Sequence, residues 1–135
     1  MQADQSDFIF AKGSIKAMLT NLQAHEFADL WIQSWNSHDL ESILSHYTDD
    51  FEMSSPAIID TMGEASGKLK GKEIIQRYWS KALVKYPELH FEKLHVLVGA
   101  NSVTIIYNGV LGLSAEVFHF NTRGDIYAAY AHYDF

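Results

Sequence analysis

A chain of 135 residues with no cysteine and a net charge of −7 is one domain's worth of sequence, long enough to bury about two thirds of the surface its unfolded form exposes. The missing cysteines exclude disulfides and thiolate metal sites and fit a reducing, cytoplasmic setting, while the acidic balance and scattered Lys and Arg argue against a nucleic-acid partner. No apolar run approaches the roughly 20 residues of a membrane span, and the start lacks the basic and apolar regions of a signal peptide.

Residues 1–23 read as an extension and 24–135 as a single domain. In the extension, Ser14 can cap a helix whose apolar residues Ile15, Met18, Leu19 and Leu22 recur at helical spacing. That helix lies on the main body, covers a cavity mouth or reaches a partner. A second helix is expected from about His25 to Ser37, with Phe27, Leu30, Trp31, Ser34 and Trp35 on one face, and the two could be continuous. Asp39 caps a short helix through Leu40, Ile43, Leu44 and Tyr47, Asp49 and Asp50 end it, and a strand from Phe51 to Ser55 stops at Pro56. From Ala57 to Lys70 the sequence reads as a long loop, either a lid with apolar contacts or a disordered connection. A helix from Lys72 to about Lys85 presents Ile74, Ile75, Tyr78, Trp79, Ala82 and Leu83 before Tyr86-Pro87 ends it.

The rest reads as strands: Leu89 to Val98, Val103 to Leu111, and a hairpin over Ala115 to Asp134 that turns between Asn121 and Asp125. Alternation puts Glu116, Phe118 and Phe120 on one face and Val117 and His119 on the other. A four-residue loop, Thr122 to Asp125, would bring Tyr127, Ala129, Ala131 and Tyr133 beside Glu116; a five-residue loop would select Ile126, Ala128, Tyr130 and His132. The first is favoured because it sends His132 and Asp134 outward. Helices followed by a meander of strands predict an α+β domain, with helices on one side of a curved antiparallel sheet.

The segments W-N-S-H-D-L-E-S-I, Y-T-D-D-F-E-M, G-K-E-I-I-Q-R-Y-W and F-H-F-N-T-R-G-D-I-Y together resemble the nuclear transport factor two-like superfamily. The resemblance is to its SnoaL-like branch in particular, with its polyketide cyclase and ketosteroid isomerase relatives, and covers about Ala24 to Asp134. It implies a cone: a strongly bent sheet wrapped around the N-terminal helices, with a pocket at the wide end and a homodimer built through the outer sheet face. It is unspecific for function, because this frame hosts isomerases, cyclases, dehydratases, epoxide hydrolases and binding domains. Relative to the isomerases, Glu116 falls where the oxyanion-hole acid would be, Trp31 where its tyrosine would be and Ser55 where the base would be. Serine without a partner base has no useful basicity, so that isomerisation route is disfavoured. The Asp-Arg-Asp set of the epoxide hydrolases lacks its arginine on these strands. Of the dehydratase histidines, His90 and His95 would sit on opposite faces of one strand.

Glu116 is the expected acid, because a carboxyl among Phe118, Phe120 and Tyr133 loses hydration and its pKa should rise. A purely structural hydrogen bond to a tyrosine or indole is the alternative. Trp31, Trp35, Tyr47, Met53, Ser55, Tyr78, Trp79, Tyr107, Phe118, Tyr127, Ala129, Ala131 and Tyr133 are the candidate pocket residues, with Asp60 and Glu64 as further acids on the 57–70 segment. The histidine spacing supports no metal site, and no cofactor is expected. Val117, His119, Tyr130 and His132 would make a partly apolar outer face suited to a homodimer. The expected ligand is small and mostly apolar, of polyketide, steroid or terpenoid kind. Three readings stay open: a cofactor-free isomerase, cyclase or dehydratase; a non-catalytic binding or dimerisation module; and a filled cone in which Trp31, Trp79 and Tyr133 meet.

Overall fold

The computed structural model describes residues 19–135, so the helix expected from Ser14 lies, as far as Met18, outside the described residues. Helix α1 spans Asn21–Asn36. Thr20 caps it: its hydroxyl accepts the Gln23 N–H while the Gln23 side chain accepts the Thr20 N–H, which satisfies two backbone donors reciprocally. The helix therefore begins ahead of His25. It buries Ala24, Ala28, Trp31, Ser34 and Trp35, whereas Leu30, expected on that face, is 54% exposed. The two alanines let α1 approach the sheet closely, and the narrower stripe leaves Leu30 on its flank.

Asp39 caps α2, Leu40–Leu44, through a bond to the Ser42 N–H. Tyr47 does not extend this helix. Strand β1, Tyr47–Ser54, starts there and contains Asp49 and Asp50. The expected loop at 57–70 instead holds helix α3, Pro56–Met62, and strand β2, Lys68–Lys70. Ser55 caps α3, Pro56 occupies its first turn, where a missing N–H costs nothing, and Gly63 at φ 68° closes it. Ile58 is fully buried and ties α3 to the core. Helix α4, Lys72–Lys85, buries Ile75, Tyr78 and Trp79.

Strands β3 (Glu92–Gly99), β4 (Ser102–Gly109), β5 (Gly112–Phe120) and β6 (Ile126–Tyr133) complete a six-stranded sheet in the order β2-β1-β6-β5-β4-β3. All neighbours are antiparallel except β1 and β6, which run parallel. Irregularities in register between Lys93 and His95, and between His119 and Phe120, are the local bends by which such a sheet curls around α1.

The second of these irregularities settles the hairpin. Asn121 holds the turn, its side-chain oxygen accepting the N–H groups of Arg123 and Asp125, and Gly124 supplies φ 87°. Phe120 pairs with Ile126 but His119 pairs with Ala128, so Tyr127 is the unpaired extra residue. Beyond it Phe118 meets Ala129, Glu116 meets Ala131 and Ser114 meets Tyr133. The turn thus begins as the five-residue alternative and continues with the face expected from the four-residue one. Tyr127 is 49% exposed and is not a pocket residue. No helix among the described residues is long and apolar enough to cross a membrane.

Candidate functional site

Between α1, α3, α4 and the inner face of β4–β6 lies a cavity of about 410 Å³, within the usual range for small-molecule sites. Trp31, Trp35, Met53, Tyr78, Trp79, Tyr107, Glu116 and Tyr133, all expected from the sequence, line it. The filled cone is therefore excluded. The aromatic groups are mutually braced: Trp35 meets Trp79 edge-on at 5.3 Å, Trp31 meets Tyr107 at 5.4 Å, and Phe91 stacks on Trp31 at 5.6 Å.

Phe91 and Leu89, which the strand reading did not single out, reach the cavity wall because the end of α1 holds their backbone. Asn36 donates to the Phe91 carbonyl at 3.0 Å and accepts the Phe91 N–H at 2.6 Å. The His38 ring lies 2.9 Å from the Leu89 carbonyl, a contact that requires Nε2 to carry the proton. The remainder of the mouth is formed by Pro56, Ala57, Ile59, Asp60 and Thr61 of the α3 region, by Ala82, Lys85 and Tyr86, by the β4–β5 turn residues Val110 and Leu111, and by Phe135. Ser55-Pro56 was the available signal for the α3 wall, since a cap followed by proline is a helix start.

Five other expected pocket residues lie outside this lining. Tyr47 is buried against Phe51 and Trp79, with its hydroxyl accepting the Trp31 indole N–H at 3.1 Å, and so belongs to the core. Phe118 is fully buried between Phe27 and Trp31. Ala129 and Ala131 are buried and too short to reach past their strand neighbours Met53, Phe118 and Glu116. Ser55 lies just behind the wall: its hydroxyl accepts the Ala57 N–H at 3.1 Å and a longer bond from the Tyr78 hydroxyl at 3.5 Å, and lies 3.4 Å from the Tyr133 hydroxyl. Asp60 reaches the rim while Glu64 turns back to Ser66. His90 and His95 are both exposed.

Glu116 is 4% exposed. Burial raises its carboxyl from the usual 4.5 to about 7, against a smaller opposing pull from the Tyr107 hydroxyl, which donates to it at 3.2 Å. Around it the phenols of Tyr47, Tyr78, Tyr107 and Tyr133 are all pushed upward, chiefly by burial, Tyr78 to about 12. They remain neutral donors at physiological pH. The arrangement is one acid of near-neutral pKa in a cage of rings and phenols, able to hold or move a proton at its carboxyl. Among the described residues no set of three or more His, Asp or Glu converges as metal ligands.

A bent sheet wrapped over helices, with Glu116 the one buried carboxyl among the described residues and facing an aromatic cavity, defines a cone-shaped α+β domain built around an interior pocket. The family model described as a SnoaL-like domain matches residues 28–133, and the chain belongs to that family. A SnoaL-like protein of unknown function from Burkholderia thailandensis is 49% identical, with a TM-score of 0.84 over 87% of this chain and 99% of that one. The epoxide hydrolase/cyclase-like enzyme SalBIII, of pyran ring formation in the polyether salinomycin, is 16% identical with a TM-score of 0.66, over 84% and 92% of the two chains. A putative ketosteroid isomerase from Kribbella flavida is 14% identical with a TM-score of 0.62, over 80% and 75%. The last two share the fold. No curated protein matches the sequence significantly.

Proposed function

We propose that this SnoaL-like domain binds a small, mostly apolar molecule of polyketide, steroid or terpenoid kind in its cavity, and that Glu116 passes a proton to a polar atom of that ligand without a cofactor. The observation that carries the reading is the position of Glu116: it is buried at the cavity wall with a pKa near 7, so both protonation states are accessible where a ligand would sit. Isomerisation, cyclisation and dehydration are the reactions such a group can serve. The presence of Ser55 where the isomerase resemblance implies a base favours a second reading, a binding module without turnover.

The same proposal includes a homodimer through the outer sheet face, and a cytoplasmic setting supported by the cysteine-free sequence. The test begins with a thermal-shift panel of steroids, aromatic polyketides, terpenoids and small lactones. A ligand at 100 times its dissociation constant adds about 2.7 kcal/mol. For a ligand that is turned over, Glu116→Gln abolishes turnover while leaving binding within about 1–2 kcal/mol, the scale of one hydrogen bond. Unchanged turnover in that variant ends the catalytic reading, and binding without turnover in either protein selects the module.

A further inference from the structure

The cavity is electrostatically one-sided. Two carboxylates line it, Glu116 inside and Asp60 at the rim, against one ammonium, Lys85. Lys85 sits at the exposed edge with its nitrogen 5.4 Å from the Tyr86 ring centre. The ion pairs among the described residues, Lys72–Asp49, Arg77–Glu73 and Lys93–Asp29, leave Glu116 without a cation.

What surrounds Glu116 is neutral. Tyr47 comes from β1, Tyr78 from α4, Tyr107 from β4 and Tyr133 from β6, and α1 contributes the indoles Trp31 and Trp35. The one basic group these elements bring to the cavity lining is Lys85, at the end of α4; it stands at the exposed edge beside the Tyr86 ring and forms no ion pair with Glu116. A carboxylate enclosed in this way has lost water and gained only the Tyr107 bond, so its charged form lacks compensation. The walls are built largely of aromatic rings, whose faces carry negative potential and attract cations most strongly where water is excluded.

We infer that the ligand's polar group is a cationic nitrogen: the cavity takes a hydrophobic amine or quaternary ammonium, its charge against Glu116 and its substituents against Trp31, Trp35, Trp79 and Phe91. This rests on the cavity being a ligand site with Glu116 as its polar contact, and names the atom that Glu116 meets. A neutral amine entering the cavity takes the carboxyl proton and becomes the ammonium. A quaternary ammonium cannot take it, so the proton leaves to solvent.

That difference supplies the test. Benzyltrimethylammonium and the uncharged 4-phenyl-2-butanone are titrated into the protein by calorimetry at about pH 6 and about pH 8, in buffers of different ionisation enthalpy. Because only the ionised carboxyl pairs with a fixed cation, the quaternary ligand binds about tenfold tighter at the higher pH and releases a proton at the lower one. The ketone does not tighten with rising pH. In Glu116→Gln the quaternary ligand loses at least about tenfold in affinity together with its pH dependence, while the ketone is retained. If that variant fails to fold, the pH series on the unaltered protein decides alone. A ketone that binds while the quaternary ligand does not, or binds without pH dependence, overturns the inference and leaves the binding reading standing. If neither binds, nor any member of the neutral panel above, the binding reading fails and the inference with it.

Discussion

Glu116 makes the domain's stability depend on pH in a direction opposite to that of most carboxylates. Its pKa is higher folded, about 7, than in an exposed chain, 4.5, so the folded state binds the proton more tightly. The stability this contributes is complete below about pH 4.5, declines as pH rises and is gone above about pH 7, a loss of about 3 kcal/mol. His46 works the other way: burial lowers its pKa, so its contribution is complete above the ordinary histidine range and is lost as pH falls through its folded pKa. The two overlap in mildly acidic solution, and only a variant separates them. Glu116→Gln should therefore flatten the fall in unfolding free energy between about pH 5 and pH 8, measured by urea denaturation, and make the protein more stable than the parent at the upper end. A parent whose stability rises steadily over that interval would contradict the buried-acid assignment. Glu116 was legible because a strand alternates with period two and its face was rich in aromatics. Tyr127 was not, because the irregularity is confined to that one unpaired residue: the expected pairing resumes beyond it at Ala129, Ala131 and Tyr133, and no local feature of I-Y-A-A-Y announces the bulge.

Helix α3 shows how a short element escapes periodicity and can still be found by its ends. Seven residues, P-A-I-I-D-T-M, make about two turns, too few for an apolar stripe to repeat, and the flanking glycines suggested a loop. The cap at Ser55, the proline after it and the left-handed Gly63 were the informative signals. Ser55 is also joined to Tyr78 and Tyr133, so one hydroxyl ties the start of α3 to both sides of the cavity. Ser55→Ala should cost about 1 kcal/mol, the usual worth of an N-cap, and hydrogen exchange should accelerate over Pro56–Met62 while the β4–β5 hairpin keeps its protection. Uniform acceleration across the sheet would mean that the serine supports the core rather than the helix. The long helices α1 and α4 and the last two hairpins were readable directly, since each extends far enough for its period to repeat.

At the scale of the whole molecule, the central outward rows of β3 to β6 are free of Lys, Arg, Asp and Glu, and they meet charge at Glu52, Lys70 and Lys68 only where β1 and β2 continue the sheet. Across β3 to β6 the outward positions follow from the register: Leu97, Thr104, Val117 and Tyr130 in one row, His95, Ile106, Ala115 and His132 in the next, and Ser102, His119 and Ala128 beside them. No Lys, Arg, Asp or Glu stands in these rows, in a chain of net charge −7. His119 is packed edge-on to Tyr130 at 5.6 Å. This supports the proposed homodimer, because two acidic copies repel least where neither presents a carboxylate. Val117→Glu places an unpaired charge there twice by symmetry and should weaken association by about 3 kcal/mol or more, read as a shift from dimer to monomer in sedimentation. A parent protein that sediments as a monomer at tens of micromolar would end the dimer proposal. The cone and its cavity were accessible from the succession of elements together with the family resemblance; the sheet order was not, because β2 lay hidden in the expected 57–70 loop and the parallel β1–β6 pair departs from the antiparallel sheet expected. The membership of the cavity wall was not, because it depends on how closely α1 approaches the sheet and on backbone clamps such as Asn36 on Phe91.

The parallel pairing of β1 with β6 bears on how the pocket comes into being. Met53 reaches its neighbour Ala129 only across most of the sequence, so this contact closes a long loop, and the entropy of closure must be met before the pairing stabilises anything. During synthesis the helices and β1 emerge well ahead of their partner strand, with Trp31, Trp35, Trp79 and Phe51 still uncovered. Glu116 and Tyr133 complete the wall only when β5 and β6 dock. The cavity is thus completed only by the last strands, and the interval before β6 arrives is when exposed aromatic surface makes the nascent protein most prone to aggregate.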